Sequence, residues 1–202
     1  RAGSYMCGEW EFGGFPAWLL ANGVIRLRTD AEPYMSEAIR WWKELLPRVI
    51  PLLYENGGPV VLVQIENEYG SYGNVAENPS DLSYIQKLVA LARSILGDQV
   101  VLFTTDGGNL GSMQRGSLNG SSVLTVGDGC DNVTECWFAQ RQMNPPGMAP
   151  PMCSEFYTGW LTHWGEEIAN TSSQATASHL DSILSTNGSV SLYMAHGGSS
   201  SG

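Results

Sequence analysis

The chain has 202 residues, which is the size of one domain and enough to bury a sizeable hydrophobic core. Hydrophobic residues make up 43% and charged residues 15%, so the composition excludes a disordered tail and a charged coiled coil. The formal net charge is −10, and an acidic chain repels phosphate backbones, so we predict no nucleic-acid partner. No apolar run approaches the roughly 18 residues of a membrane span.

Predicted strands and helices alternate along the chain. Continuous apolar, β-branched runs are typical of strands that are covered on both faces. They predict strands at 59–65 and 100–104. Shorter candidate strands lie at 123–126, 151–154 and 190–194, and Met6-Cys7 is a candidate for the end of another. Amphipathic periodicity predicts helices at 39–53, 82–96, 132–142 and 173–186. Asn78 and Pro79 favour a start for the second of these helices, and Gly97 favours its end.

This alternation predicts an α/β fold, either a doubly wound sheet or a (β/α)₈ barrel. No G-x-G-x-x-G or Walker loop follows a predicted strand, which weakens the nucleotide-binding alternative. The chain opens at Arg1 and stops in a Gly/Ser run at 198–202. Both ends look cut, so we expect the chain to be a fragment of a longer protein.

The cysteines and the N-glycosylation sequons give information about the cellular compartment of the protein. The chain has four cysteines, Cys7, Cys130, Cys136 and Cys153. Four cysteines can form two disulfides in three different ways. The sequence leaves two alternatives open: a disulfide that closes a small loop between Cys130 and Cys136, or four buried and unreactive thiols. Neither the cysteine spacing nor the histidines match a zinc signature, so we predict no metal. Four Asn-X-Ser/Thr sequons, at Asn119, Asn132, Asn170 and Asn187, favour a lysosomal or extracellular destination by the secretory route.

Carboxylates next to aromatic residues follow three of the predicted strands. These segments hold Glu9 and Glu11, then Glu66 and Glu68, then Glu155. A carboxylate directly after a buried strand is costly unless it is paired or used. Aromatic rings pack on sugar faces, and glycoside hydrolysis needs two carboxyl groups, so the pattern favours sugar chemistry. No G-x-S-x-G elbow supports a serine hydrolase.

Strand alternation does not decide between Glu66 and Glu68. A period of two puts both on one face and Asn67 on the other.

Several long motifs resemble glycoside hydrolase family 35, the lysosomal and secreted β-galactosidases. The matching segments are residues 8–19 (GEWEFGGFPAWL), 25–30 (IRLRTD), 64–72 (QIENEYGSY), 102–107 (LFTTDG), 154–161 (SEFYTGWL), 163–165 (HWG), 193–194 (YM) and 196–198 (HGG). The resemblance runs along the whole chain.

The resemblance implies a (β/α)₈ TIM barrel, present here in part as roughly strands 3 to 8, in one catalytic domain over residues 1–202. The N-terminal strands and the C-terminal β-rich domains would be missing. Glu68 would be the acid/base and Glu155 the nucleophile, with Glu66 in a supporting role and Glu11 in a structural one. Residues that would line the galactose pocket are Gly8, Glu9, Asn67, Trp160 and Tyr193. No cofactor is implied.

The expected activity is that of a retaining exo-β-galactosidase, which removes terminal non-reducing β-D-galactose from glycans or glycolipids. A non-catalytic glycan-binding homologue and an exo-glycosidase for another terminal sugar are the alternatives. The sequence leaves a homo-oligomer open. We expect the 202-residue piece to be inactive alone, because an open barrel exposes strand edges.

Overall fold

A computed structural model describes residues 1–8, 11–23 and 26–196. Its centre is one sheet of five strands that neighbour each other in chain order. The strands are β1 Leu62–Gln64, β2 Val101–Gly107, β3 Leu124–Asp128, β4 Met152–Phe156 and β5 Ser189–Leu192. All four pairings are parallel. The sheet is curled, and with its helical crossovers it forms part of a (β/α) barrel, as the sequence predicts.

Within the described residues, two α-helices precede β1 and one follows each of the first four strands. They are α1 Trp18–Ala21, α2 Tyr34–Val49, α3 Pro79–Leu96, α4 Leu110–Gly116, α5 Val133–Met143 and α6 Ser173–Leu184. The last four each connect one strand to the next, so every crossover of the described sheet carries a helix. No helix in the described ranges is long and apolar enough to cross a bilayer.

The ends of α3 follow the sequence prediction. The Asn78 side chain accepts a hydrogen bond from the Ser80 amide at 3.0 Å, and Pro79 occupies the first turn. Gly97 ends the helix with a φ of 83°, a conformation that favours glycine. The predicted bent helix also forms, but it begins earlier, at Tyr34, and continues through Pro47.

The first residues of the chain run beside β1. The Ala2 amide donates to the Gln64 carbonyl at 3.1 Å, and the Glu66 amide donates to the Gly3 carbonyl at 2.7 Å. The predicted strand end at Met6 and Cys7 is wrong, because Cys7 has a φ of 56°, outside the extended region.

Two hydrophobic clusters of the described residues pack helices against the sheet. The first contains Trp42 of α2, Tyr84 and Leu88 of α3, and Ile65. The second joins α5 and α6 to β4 through Trp137, Phe156 and Ile183. It also holds a disulfide between Cys130 and Cys136 and the buried thiol of Cys153, whereas the thiol of Cys7 lies half-buried in the N-terminal segment.

Candidate active site

Acidic residues occupy the carboxyl edge of the described sheet. Glu66 and Glu68 follow β1, Asp106 lies near the end of β2, Asp128 ends β3, and Glu155 lies near the end of β4. Glu68 is half-buried and the other four are buried. Parallel strands present their carboxyl ends on one side, and this side carries the chemistry of (β/α)₈ enzymes.

Glu66 is held in a buried ion pair with Arg28. Its two carboxylate oxygens accept from Arg28 Nε at 3.1 Å and Arg28 Nη2 at 2.6 Å, and the Tyr84 hydroxyl donates at 2.8 Å. The rings of Tyr5 and Tyr72 cover the guanidinium, with centroids 4.1 and 4.5 Å away. The cost of burying both charges is offset, because each charge contacts the opposite charge and forms hydrogen bonds.

The Arg28–Glu66 pair fixes the main chain at Asn67. Arg28 Nη2 donates to the Asn67 carbonyl at 2.6 Å, and the Asn67 amide donates to Glu66 Oε2 at 2.8 Å. Glu66 and Glu68 have φ values of 61° and 44°, so the extended backbone assumed for a shared strand face is absent. The side chain of Asn67 instead reaches Glu68, with Nδ2 to Oε2 at 3.4 Å.

Asp106 connects the segment after Glu68 to α4. Its Oδ1 accepts from the Gly70 amide at 2.6 Å, and its Oδ2 accepts from the Ser117 hydroxyl at 2.9 Å. A Cβ on Gly116 would lie 2.1 Å from Oδ1, so glycine is needed there for the close approach. Burial raises the pKa of Asp106 to about 8 against the opposing effect of these two hydrogen bonds.

Asp128 is buried at the end of β3, and no N–H or O–H group of the described residues donates to its Oδ2 atom. Burial, followed by the negative charge of Glu68, raises the pKa of Asp128 to about 8.

Glu155 forms an ion pair with Arg1. The Arg1 guanidinium also lies 5.4 Å from the ring centroid of Tyr193, so it joins the residues after β5 to the buried carboxylate in β4. The Gly129 amide donates to the Glu155 carbonyl at 2.9 Å and fixes the main chain beside β3.

Aromatic rings complete this end of the sheet. Tyr157 makes edge-to-face contacts with Trp160 at 5.4 Å and with Tyr193 at 6.2 Å between centroids. Burial and the nearby charges of Asp128 and Glu68 raise the pKa of Tyr157 well above its ordinary value. Trp160 is exposed, so one face of this aromatic group is open to a ligand.

The remaining pocket residues from the sequence lie in the N-terminal segment. Glu9 lies outside the described residues. Gly8 is exposed and packs on the turn after it, where an added Cβ would lie 3.3 Å from the Gly13 oxygen. The atoms nearest to such a Cβ belong to Gly13 and Gly14, which are not part of the carboxylate group described above.

Comparison with known proteins identifies the family. The chain matches Glycosyl hydrolases family 35 over residues 1–202. The chain belongs to this family. It is similar to Beta-galactosidase 17 of Arabidopsis thaliana (51% identity, 100% of this chain, 29% of the relative). It is also similar to Beta-galactosidase 8 of Oryza sativa subsp. japonica (48%, 100% and 30%) and to Beta-galactosidase of Homo sapiens (46%, 98% and 28%). The chain therefore spans about 30% of the length of these family 35 relatives.

Four charged residues of this family 35 chain were not selected as site residues from the sequence: Arg1, Arg28, Asp106 and Asp128. The two aspartates had a visible signal, because each lies two residues after a predicted strand and directly before a glycine. The arginines had none, since their partners Glu155 and Glu66 are distant in sequence.

Proposed function

We propose that the full-length protein is a retaining exo-β-galactosidase that removes terminal non-reducing β-D-galactose from glycans or glycolipids. The observation that carries the proposal is a pair of glutamates, Glu68 and Glu155, on one carboxyl edge of a family 35 barrel. The names of the relatives support galactose as the sugar.

Glu155 is proposed as the nucleophile. Its carboxylate attacks the anomeric carbon, and the bond from that carbon to the leaving oxygen breaks with its electron pair on the oxygen. The ion pair with Arg1 favours the ionised form that attack requires, and it orients the carboxylate. Burial keeps water away from the nucleophile, so attack by the carboxylate competes well with direct hydrolysis.

Glu68 is proposed as the acid/base. It gives a proton to the leaving oxygen in the first step. In the second step it takes a proton from water, while the water oxygen bonds to the anomeric carbon and the bond to Glu155 breaks. Glu68 is half-buried, which suits a group that must reach both the leaving group and incoming water.

The galactose pocket is proposed to use Asn67, Trp160 and Tyr193, together with Gly8 and Glu9. The Asn67 Oδ1 accepts from Gln64 Nε2 at 3.1 Å, which turns Nδ2 toward Glu68 and toward a sugar hydroxyl beside it. The exposed ring of Trp160 offers an apolar face for the CH side of the sugar.

A lysosomal or extracellular destination is part of the proposal. The four sequon asparagines, Asn119, Asn132, Asn170 and Asn187, are all exposed. The Cys130–Cys136 disulfide is typical of the oxidising secretory route.

The test is turnover by the full-length protein on a panel of aryl glycosides. We expect hydrolysis of the 4-nitrophenyl β-D-galactoside, with β-galactose as the first sugar seen by proton NMR. The Glu155→Gln variant is the matched control, and it should bind galactose without turnover. Release of α-galactose first would contradict retention, and preference for a glucosaminide would contradict the sugar. Binding without turnover in the wild type would indicate the non-catalytic homologue.

A further inference from the structure

We propose that Thr105 and Ser154 are positioning residues whose buried hydroxyl pair sets the separation of the two proposed catalytic glutamates. The inference rests on the proposed function, because it concerns Glu68 and Glu155 as a pair. Retention needs the two carboxyl groups about 5–5.5 Å apart, whereas inversion needs about 6.5–9.5 Å. A contact that fixes this separation therefore acts on the reaction and not only on the fold.

The main chain of Glu68 is held on β2 by Thr105. Strand β1 ends at Gln64, but the Ile65 amide still donates to the Phe103 carbonyl at 2.8 Å. The Glu68 amide donates to the Thr105 carbonyl at 3.0 Å. The proposed acid/base is thus attached to the same residue of β2 whose hydroxyl takes part in the pair.

The hydroxyl of Thr105 meets a partner from β4. Its Oγ1 forms a hydrogen bond with Ser154 Oγ, and both residues are buried. Strand β3 lies between β2 and β4, so the two hydroxyls come from alternate strands, as the side chains of one layer do inside a (β/α)₈ barrel. Bulky branched residues dominate such layers, so a pair of hydroxyls is a specific feature of this one.

The direction of the hydrogen bonds follows from the number of protons. Ser154 Oγ donates to the Gly127 carbonyl at 2.9 Å, because a carbonyl oxygen can only accept. A serine hydroxyl has one proton, so the bond between the two hydroxyls takes its proton from Thr105. Two hydrogen bonds in series therefore join β2 to β4 and β4 to β3.

Ser154 also lies in an irregular stretch of β4, directly before Glu155. Cys153 and Phe156 both belong to the hydrophobic cluster formed with α5 and α6, although they are three residues apart. A regular strand places residues three apart on opposite faces, and the pairing of β4 with β5 shifts register between these two residues. Such irregularities occur next to active sites, where they re-aim a side chain. The bonds of Ser154 therefore hold the stretch that aims the proposed nucleophile.

Kinetics of the full-length protein test the pair with matched substitutions. Thr105→Val removes the hydroxyl at similar volume, so kcat on the 4-nitrophenyl galactoside should fall about tenfold, with KM within about twofold. Thr105→Ser keeps the hydroxyl and should stay within about threefold of wild type. Thr125→Val is the matched control, because Thr125 is a buried residue of β3 whose Oγ1 has no hydrogen-bond partner in the described part of the chain. It should change kcat by less than about twofold.

Ser154→Ala breaks the pair from β4 and serves as the second variant if Thr105→Val does not fold. It should lower kcat by at least about tenfold. The double variant Thr105→Val/Ser154→Ala should lose no more than Ser154→Ala alone, because both substitutions remove one contact. Additive losses would overturn the proposal, as would a loss in Thr105→Ser equal to that in Thr105→Val.

Crystal structures of the full-length variants supply a readout that needs no turnover. The distance between the carboxyl carbons of Glu68 and Glu155 should change by about 0.5 Å or more in Thr105→Val and in Ser154→Ala. It should match wild type in Thr105→Ser and in Thr125→Val. An unchanged distance in the two variants that lack the pair would overturn the proposal. Absence of galactoside turnover in wild type would refute the proposed function, while this distance would still decide the role of the pair.

Discussion

The guanidinium of Arg28 donates to the main-chain oxygen of Asn67 at 2.6 Å, one residue before Glu68. The same guanidinium is paired with Glu66, whose carboxylate accepts from the Asn67 amide. Both peptide groups of Asn67 are thus fixed by one buried ion pair. Strand β1 has already ended at Gln64, so this pair takes over the positioning of the segment that carries the proposed acid/base.

Removing one member of this ion pair leaves an uncompensated buried charge. We predict that Arg28→Met lowers the free energy of unfolding by about 3–5 kcal/mol. The double variant Arg28→Met/Glu66→Gln should be closer to wild type, because neither side chain is then charged. Urea denaturation of the full-length protein measures both. A double variant that is less stable than Arg28→Met would show that hydrogen bonding, not charge, dominates at this site.

Asp106 predicts a pH dependence of stability. Its pKa is raised from 3.8 to about 8, so the folded protein retains a proton that the unfolded chain loses above pH 3.8. Its contribution to stability is therefore complete at low pH and falls as the pH rises to about 8, by at most about 1.4 kcal/mol per pH unit. Asp106→Asn cannot ionise, so its Tm should gain on wild type between pH 5 and pH 7.5. A constant difference in Tm would contradict the raised pKa, and Asp98→Asn is the exposed control.

The fold could be predicted because its elements are encoded locally. The five predicted strands overlap β1 to β5, although most residues of β5 are exposed, and the cap and stop signals at Asn78 and Gly97 mark the ends of α3. Helix α4 was not predicted, because its seven residues LGSMQRG contain two glycines and show little amphipathic period. Tertiary contacts hold it, since its Arg115 Nε donates to the Gly70 carbonyl at 2.9 Å.

The site could be predicted only where a residue stands in a recognisable motif. Glu68 and Glu155 lie in long segments that resemble family 35, whereas Arg28 gains its role through Glu66, a partner far along the chain. The alternation at Glu66 and Glu68 failed as a guide because left-handed backbone at both residues breaks the period of two.

Asn67 offers a test of transition-state binding. Its Nδ2 lies next to Glu68, and we predict that it bonds the 2-hydroxyl of galactose, where contacts strengthen in the transition state. Asn67→Ala in the full-length protein should lower kcat more than it raises KM. Gln99→Ala, at the opposite end of the sheet, should change neither. If Asn67→Ala raised KM alone, the side chain would contribute uniform binding instead.

The exposed sequons and the proposed secretory route predict N-glycans, and substitutions of Asn132 separate the effect of its glycan from its effect on the fold. Its Oδ1 accepts from the Glu135 amide at 3.2 Å and caps α5, while Nδ2, the glycan-bearing atom, lies 3.3 Å from a Glu135 carboxylate oxygen. Asn132→Ala should lose one glycan and about 1 kcal/mol of stability. Asn132→Asp should lose the glycan but keep the cap. Peptide mass spectrometry and Tm measure the two effects, and an unmodified Asn132 would contradict the prediction.

Azide rescue tests the two proposed catalytic glutamates most directly. In Glu155→Gly, azide should fill the gap, attack the anomeric carbon and give the α-galactosyl azide. In Glu68→Gly, an activated aryl galactoside should still form the galactosyl-enzyme, and azide should then give the β-galactosyl azide. Proton NMR of the products of the full-length variants distinguishes the two anomers. The opposite pair of anomers would exchange the two roles, and full activity in either variant without azide would remove that glutamate from the mechanism.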